Sequence, residues 1–126
     1  MDKEAGNSLF GKKKYEQAIK KYDEACEKLL PSEKGSEAGK LISICHSNKA
    51  ECLLSLQKCS EAENAAMSAY GYDDQNFKAF FRAAKACQKQ GKLDEALDHA
   101  KECLTIQEGK GVETIATKTL INDVHR

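Results

Sequence analysis

Small side chains recur along the chain at a fixed spacing. Ala62 and Ala96 are 34 residues apart, and each has another small residue twelve positions before it and seven positions after it. The same arrangement surrounds Ala18, which precedes Ala62 by 44 residues. The full set comprises Gly6, Ala18, Ala25, Ala50, Ala62, Ala69, Ala84, Ala96 and Cys103. Because small residues let neighbouring helices approach closely, the pattern predicts three repeated helical hairpins.

The apolar and polar positions between these small residues predict where the helices begin and end. Pro31 should end the second helix, and the extra residues of the first repeat fall in the connection that follows it. Gly91 suits a left-handed cap, and Ser60 with Glu63 is typical of a capping box. The predicted helices lie near 2–12, 15–29, 38–56, 60–71, 75–90 and 93–107.

Residues 111–125 predict a seventh helix after the three hairpins. Several of its apolar or small side chains share one face, namely Val112, Ile115, Ala116, Thr119 and Leu120. A stack of hairpins needs such a helix to cover its last open apolar surface. We therefore predict one all-α domain over 1–126. Its parts are hairpins at 2–30, 38–71 and 75–107 and a capping helix at 111–125.

Composition limits the classes of function. The 126 residues contain 20 Lys and Arg and 20 Asp and Glu, so the formal net charge is zero. Bulk attraction to nucleic acid or to an anionic membrane is not indicated, and any basic site must be local. The beginning of the chain lacks the apolar region of a signal peptide, and no apolar run is long enough to span a bilayer. We expect a cytoplasmic, monomeric protein that binds neither nucleic acid nor membrane.

The six cysteines form no Cys-x-x-Cys pair. A domain of this size does not need disulfides, so we interpret them as small, buried apolar residues in a reducing compartment. A zinc site is the alternative, because His99 and Cys103 are four residues apart on a predicted helix. Nothing nearby completes a tetrahedral set of ligands, so we expect no metal and no cofactor.

Five polar residues lie in the first helices of the three hairpins. Lys3 and Asn7 are four residues apart, as are Lys78 and Arg82, so each pair projects from one face of its helix. Parallel stacking of the hairpins would bring both pairs and Asn48 to one concave surface. The cluster has three cationic groups, two amides and no acid. This chemistry suits the free carboxylate at the end of another protein.

The sequence around these residues resembles the carboxylate-clamp tetratricopeptide repeat domains of heat-shock protein 70 and 90 co-chaperones. The motifs are Gly-Asn-Ser-Leu-Phe-x4-Tyr-x-x-Ala-Ile-x-x-Tyr at 6–22, Ser-Asn-Lys-Ala-x-Cys-Leu-Leu-x-Leu at 47–56 and Lys-Ala-Phe-Phe-Arg-x-Ala at 78–84. The resemblance covers about 2–108 and implies a right-handed α-solenoid. It also implies a five-residue clamp for the chaperone's extreme C-terminus, Glu-Glu-Val-Asp. The implied clamp residues are Lys3, Asn7, Asn48, Lys78 and Arg82.

Further side chains are predicted to line the same groove. The secondary peptide-binding set is Phe10, Ser47, Glu51, Leu54, Phe81 and Lys85. Phe10, Leu54 and Phe81 would accept apolar ligand side chains, although core packing is an equal alternative for the two phenylalanines. Lys85 would extend the basic field and steer acidic tails toward the groove.

Two functions are consistent with these residues. The first is a co-chaperone or adaptor that binds the acidic tail of a cytosolic heat-shock protein 70 or 90. The alternative is a scaffold that binds a non-chaperone partner through an internal segment or its convex face. An enzyme finds no support, because the three histidines lack an evident nucleophile partner and no Gly-rich phosphate loop is present.

Overall fold

A computed structural model describes residues 3–125, with the side chains of residues 11–125. Each helix packs against the next along the chain, and α4 also contacts α2 and α6. This order confirms the predicted all-α helical solenoid. Within 3–125, no helix has both the length and the apolar character needed to cross a bilayer. The helices are α1 (Lys3–Leu29), α2 (Glu37–Ser55), α3 (Cys59–Tyr72), α4 (Phe77–Lys89), α5 (Leu93–Lys110) and α6 (Ile115–Val124).

The small residues of the predicted repeat lie at the contacts between α2, α3, α4 and α5. In the second and third hairpins these residues are buried, in agreement with the predicted spacing. In α1, Ala18 and Ala25 are half-buried. Because an alanine ends at Cβ, helices that meet at alanines can lie at the short end of the usual spacing of about 8–10 Å. The fully buried members are Ala50, Ala62, Ala69, Ala84, Ala96 and Cys103.

A buried hydroxyl fixes three of these helices relative to one another. Ser43 of α2 donates from Oγ to the carbonyl of Ala69 at 2.6 Å and accepts from Nδ2 of Asn76 at 2.9 Å. Asn76 also begins α4, because its Oδ1 accepts from the backbone N–H of Ala79 at 3.3 Å. The polar groups in this contact are all satisfied, so the start of α4 is held against α2.

The prediction of a hairpin in the first repeat is wrong in this structure. Helix α1 continues through the predicted turn at 12–15. The turns of the other hairpins place Gln57 and Gly91 at φ of 63° and 79°, at matching repeat positions. The matching residue of the first repeat is Lys13, which is helical. Left-handed backbone costs a residue with a side chain about 1–2 kcal/mol, and Lys13 avoids this cost by remaining helical.

The predicted start of the capping helix and the predicted capping box also differ from the structure. Helix α6 begins at Ile115 rather than 111, because Gly111 adopts a left-handed φ of 70° and ends α5. The capping box at Ser60 is also not formed. Helix α3 begins one residue earlier, at Cys59, without a side-chain cap, and Glu63 makes contacts with other helices instead.

The left-handed turn yields a stability prediction. Gln57→Gly should raise the free energy of unfolding by about 0.5–1 kcal/mol, because glycine adopts the positive φ without the Cβ penalty. Urea denaturation followed by circular dichroism measures the change. As a control, Glu102→Gly on the exposed face of α5 should lower it by about 1 kcal/mol. A loss of stability in Gln57→Gly would contradict the turn conformation.

Candidate functional site

The first helices of the second and third hairpins bring part of the predicted clamp together. Arg82 of α4 donates from Nη1 to Ser47 Oγ at 2.7 Å and to Asn48 Oδ1 at 3.4 Å, both on α2. Lys78 lies one turn before Arg82 on α4 and is exposed. The predicted proximity of Asn48 to Arg82 is therefore observed. Ser47 is 2% exposed, so its hydroxyl anchors the guanidinium from below the surface of the groove.

An acidic side chain joins this cluster. Glu51 of α2 accepts from Nε of Arg82 at 3.1 Å. The Arg82 side chain is 17% exposed and that of Glu51 is 55% exposed, so the pair lies at the edge of the groove. The five predicted clamp residues contain no acid, and sequence spacing gave no sign that Glu51 would bind one of them.

A cavity of about 230 Å³ adjoins Lys78 and Arg82. Phe77 and Phe81 are among its lining residues, and Gln107 accepts from the hydroxyl of Thr117 at 2.6 Å in the same lining. That bond pairs Thr117 Oγ1 with Gln107 Oε1, and Phe77, Phe81 and Ala116 supply the apolar part of the wall. The space suits an apolar side chain next to an anionic group. The lining residues are Glu51, Phe77, Lys78, Phe81, Arg82, Gln107, Ala116 and Thr117.

A smaller cavity of about 150 Å³ lies on the other side of Glu51, lined also by Lys85 and Lys89. Lys85 places Nζ 5.7 Å from the ring centroid of Phe81, which is within reach of a cation–π interaction. Leu54 borders this cavity but is only 5% exposed and belongs to the core between α2, α3 and α4. Its contribution to a ligand surface is therefore small.

The side chains of Lys3, Asn7 and Phe10 lie outside the described residues. The prediction that Lys3 and Asn7 join the cluster depended on a reversal of the chain between 12 and 15, and α1 contains none. Of the five predicted clamp residues, the structure describes the side chains of Asn48, Lys78 and Arg82.

A second polar cluster, which the sequence analysis missed, lies where α3, α4 and α5 meet. Glu63 accepts from Lys92 Nζ and Gln90 Nε2, both at 3.0 Å, and from Cys87 Sγ at 3.4 Å. Ligand atoms of Glu63, Cys87 and Glu95 all lie within 4.8 Å of one another, as a metal site would require. Burial and the bond to Glu63 raise the pKa of Cys87 to about 12. Because metal binding needs the thiolate and Lys92 already supplies positive charge, we interpret the cluster as a structural network.

The predicted zinc alternative involved His99 and Cys103. The His99 ring lies 5.8 Å from that of Tyr70 and 6.4 Å from that of Phe80, and burial lowers its pKa. Cys103 is fully buried, and its Sγ lies 3.6 Å from the hydroxyl of Thr117. Both side chains are therefore engaged in packing and hydrogen bonding.

A larger cavity of about 490 Å³ lies between α1, α2 and α3. Charges of both signs line it, and Lys49 forms an ion pair with Asp23 at 2.7 Å that joins α1 to α2. Its mixed charge distinguishes it from the basic groove.

A stack of helical hairpins with a basic groove along its first helices defines a repeat protein that binds other proteins. No protein-family profile matches the chain. The chain is 38% identical over 102 residues to the mitochondrial import receptor subunit TOM70 of Rattus norvegicus, across 81% of its own length. It is 34% identical over 110 residues, 87% of its length, to the small glutamine-rich tetratricopeptide repeat-containing protein 2 of Saccharomyces cerevisiae. The chain belongs to the tetratricopeptide repeat family and is a protein-interaction module.

The chain spans only 15% and 29% of the lengths of these two relatives. Among solved structures, the tetratricopeptide repeat domain of Arabidopsis OM64 superimposes with a TM-score of 0.62. That superposition covers 94% of both chains at 22% sequence identity. At this identity the likeness shows the shared fold.

The Glu63 network yields a pH-dependent prediction. Burial alone would raise the pKa of Glu63, but hydrogen bonds from Lys92, Gln90 and Cys87 outweigh it and lower the pKa below 4.5. A carboxyl with a lowered folded pKa contributes stability above its unfolded pKa and loses it as the pH falls through the folded value. Glu63→Gln should therefore cost about 1–2 kcal/mol at pH 7 and less as the pH falls below 4.5.

Urea denaturation of the wild type and Glu63→Gln across this pH range measures the difference. Glu102→Gln removes the same charge from an exposed position and should change stability by less than about 0.5 kcal/mol. An equal cost for Glu63→Gln at every pH would mean that side-chain packing, rather than charge, explains its effect.

Proposed function

We propose that this module binds the acidic, free C-terminal tail of a cytosolic heat-shock protein 70 or 90 and acts as a co-chaperone or adaptor without catalysis. One observation carries the proposal. Arg82 is held by Ser47 and Asn48 so that its guanidinium borders a groove containing Lys78 and an apolar cavity. The relatives support the interaction module, and the matching clamp positions support the kind of ligand.

The chemistry of a terminal aspartate fits these groups. It carries two carboxylates, and Lys78 and Arg82 supply cationic donors from one helix, four residues apart. Because Asn48 accepts from Arg82 through Oδ1, its Nδ2 group is left to donate to a ligand. Charge-assisted bonds contribute about 1.5–3 kcal/mol each, but desolvation and ordering offset much of that sum. We expect roughly micromolar affinity for a short peptide, or about −8 kcal/mol.

The cavity of about 230 Å³ would receive the apolar residue next to the terminal aspartate. In the Glu-Glu-Val-Asp tail that residue is valine, a branched apolar side chain that suits a wall containing Phe77 and Phe81. Phe81 also packs partly against the core, so its position is fixed before the ligand arrives. Such preorganisation reduces the entropy lost on binding.

Lys3 and Asn7 complete the clamp only as the family resemblance implies it. Because α1 is continuous in this structure, a five-residue clamp requires the chain to reverse direction near Lys13. Without that reversal, Asn48, Lys78 and Arg82 would form a three-residue site of lower affinity. The choice between heat-shock protein 70 and 90 rests on tail residues upstream of the shared ending.

A second candidate function uses the cavity of about 490 Å³ between α1, α2 and α3. Its mixed charge favours an internal segment or a folded surface over an acidic chain end. A partner bound in this way would be indifferent to whether the ligand ends in a free carboxylate.

Peptide amidation separates these two functions. The peptide Met-Glu-Glu-Val-Asp should bind with micromolar affinity as the free acid, and its C-terminal amide should bind at least about tenfold more weakly. Isothermal titration calorimetry of both peptides measures the ratio. Equal binding of acid and amide would contradict the clamp and favour the internal-segment scaffold.

Substitution of the basic residues tests the assignment of the site. Arg82→Ala and Lys78→Ala should each weaken binding of the free-acid peptide by about 1.5–3 kcal/mol. Lys101→Ala on the exposed face of α5 is the matched control and should leave the affinity unchanged. Circular dichroism checks that each variant is folded. Full affinity in both groove variants would remove the groove as the binding site.

A further inference from the structure

We propose that Glu51 is a built-in competitor for the ligand carboxylate and thereby selects which acidic tails the groove accepts. This inference rests on the proposed function, because it assigns a selective role within the same groove. Glu51 borders both the cavity of about 230 Å³ and the cavity of about 150 Å³. It also forms an ion pair with Arg82, which we expect to bind the ligand.

The hydrogen bonds of Arg82 show why a ligand must compete. A guanidinium presents two edges to a carboxylate, Nε with one terminal nitrogen or the two terminal nitrogens together. Glu51 engages Nε at 3.1 Å, while Ser47 and Asn48 engage Nη1 at 2.7 and 3.4 Å. Each edge is therefore already partly occupied. A bidentate ligand carboxylate must displace either Glu51 or the Ser47 and Asn48 contacts.

The solvent exposure of Ser47 and Glu51 indicates which of their contacts with Arg82 a ligand would displace. Ser47 is 2% exposed, so losing Arg82 would leave a buried hydroxyl without this partner. The Glu51 side chain is 55% exposed and can turn into water at little cost. Displacement of Glu51 opens the Nε edge and leaves the anchored Nη1 in place. The incoming carboxylate therefore replaces Glu51 at Arg82.

The displaced carboxylate stays close to the bound ligand. Glu51 lies between the two cavities, with Lys85 and Lys89 lining the smaller one. A ligand side chain that passes Glu51 meets negative charge, whereas one that extends farther meets the two lysines. The groove should thus disfavour an acid directly opposite Glu51 and tolerate a neutral residue there. Selection by repulsion is a common route to specificity.

Calorimetry with three proteins and two peptides tests this role. The proteins are the wild type, Glu51→Gln and Glu102→Gln, and the peptides are free-acid Met-Glu-Glu-Val-Asp and Met-Gln-Gln-Val-Asp. Glu51→Gln should bind the first peptide about three- to tenfold more tightly than the wild type. The gain should be smaller for the second peptide, which lacks the upstream acids. Glu102→Gln, the charge-matched control on α5, should change affinity less than about twofold.

The pair Arg82→Ala and Glu51→Gln/Arg82→Ala shows whether Glu51 acts through the arginine. If it does, the gain from Glu51→Gln for Met-Gln-Gln-Val-Asp, which has no upstream acids, disappears in the Arg82→Ala background. A gain that persists there would mean that Glu51 acts only through its general charge, and the competitor role would be overturned.

The remaining outcomes separate this inference from the proposed function. If Glu51→Gln binds the peptide more weakly than the wild type, or with the same affinity as Glu102→Gln, the competitor role of Glu51 is overturned. The proposed function still stands in that case, provided that the wild type binds the peptide. Binding by Glu51→Gln alone would support the competitor and refute the proposed function for the natural chain. Binding by neither protein would overturn both.

Discussion

The close contact of α2, α3 and α4 through alanine is the constraint on which the rest of the structure depends. The core between these helices contains Ala50, Ala62, Ala65, Ala66, Ala83 and Ala86. Larger side chains there would separate α2 from α4. A separation of even 1 Å would break the 2.7 Å bond between Arg82 and Ser47, which sets the direction of the guanidinium. The groove is thus a consequence of how the core packs.

The parts of the fold that depend on this packing were predictable from sequence. Alanines spaced by 34 residues can be buried together only if each repeat has the same geometry, and Ala62 and Ala96 are both fully buried. The first hairpin was not predictable in this way, because the spacing of small residues says nothing about the cost of the turn. Gln57 adopts a left-handed backbone and Lys13 stays helical, although neither is a glycine. Residue type alone therefore does not decide between the two conformations.

The candidate site likewise has features that could be predicted from the sequence and features that could not. Helical periodicity predicted that Lys78 and Arg82 share one face of α4. This is the face that meets Asn48 of α2. The pairings between helices did not follow, because they depend on side-chain rotamers and on the distance between helix axes. Glu63 illustrates this. Its sequence context is typical of a capping box, yet the side chain binds Lys92 and Gln90 across the helix interface.

The ion pair at Arg82 would connect the stability of the groove to its proposed selectivity. The chain has no net charge, so the groove attracts anions only through its local arrangement of cations. A guanidinium that is 17% exposed loses much of its hydration and needs acceptors. Ser47 and Asn48 satisfy Nη1, and Glu51 satisfies Nε. A residue that satisfies the guanidinium in this way would weaken the binding of every ligand that takes its place, and most of all that of ligands that bring a second negative charge to the same point.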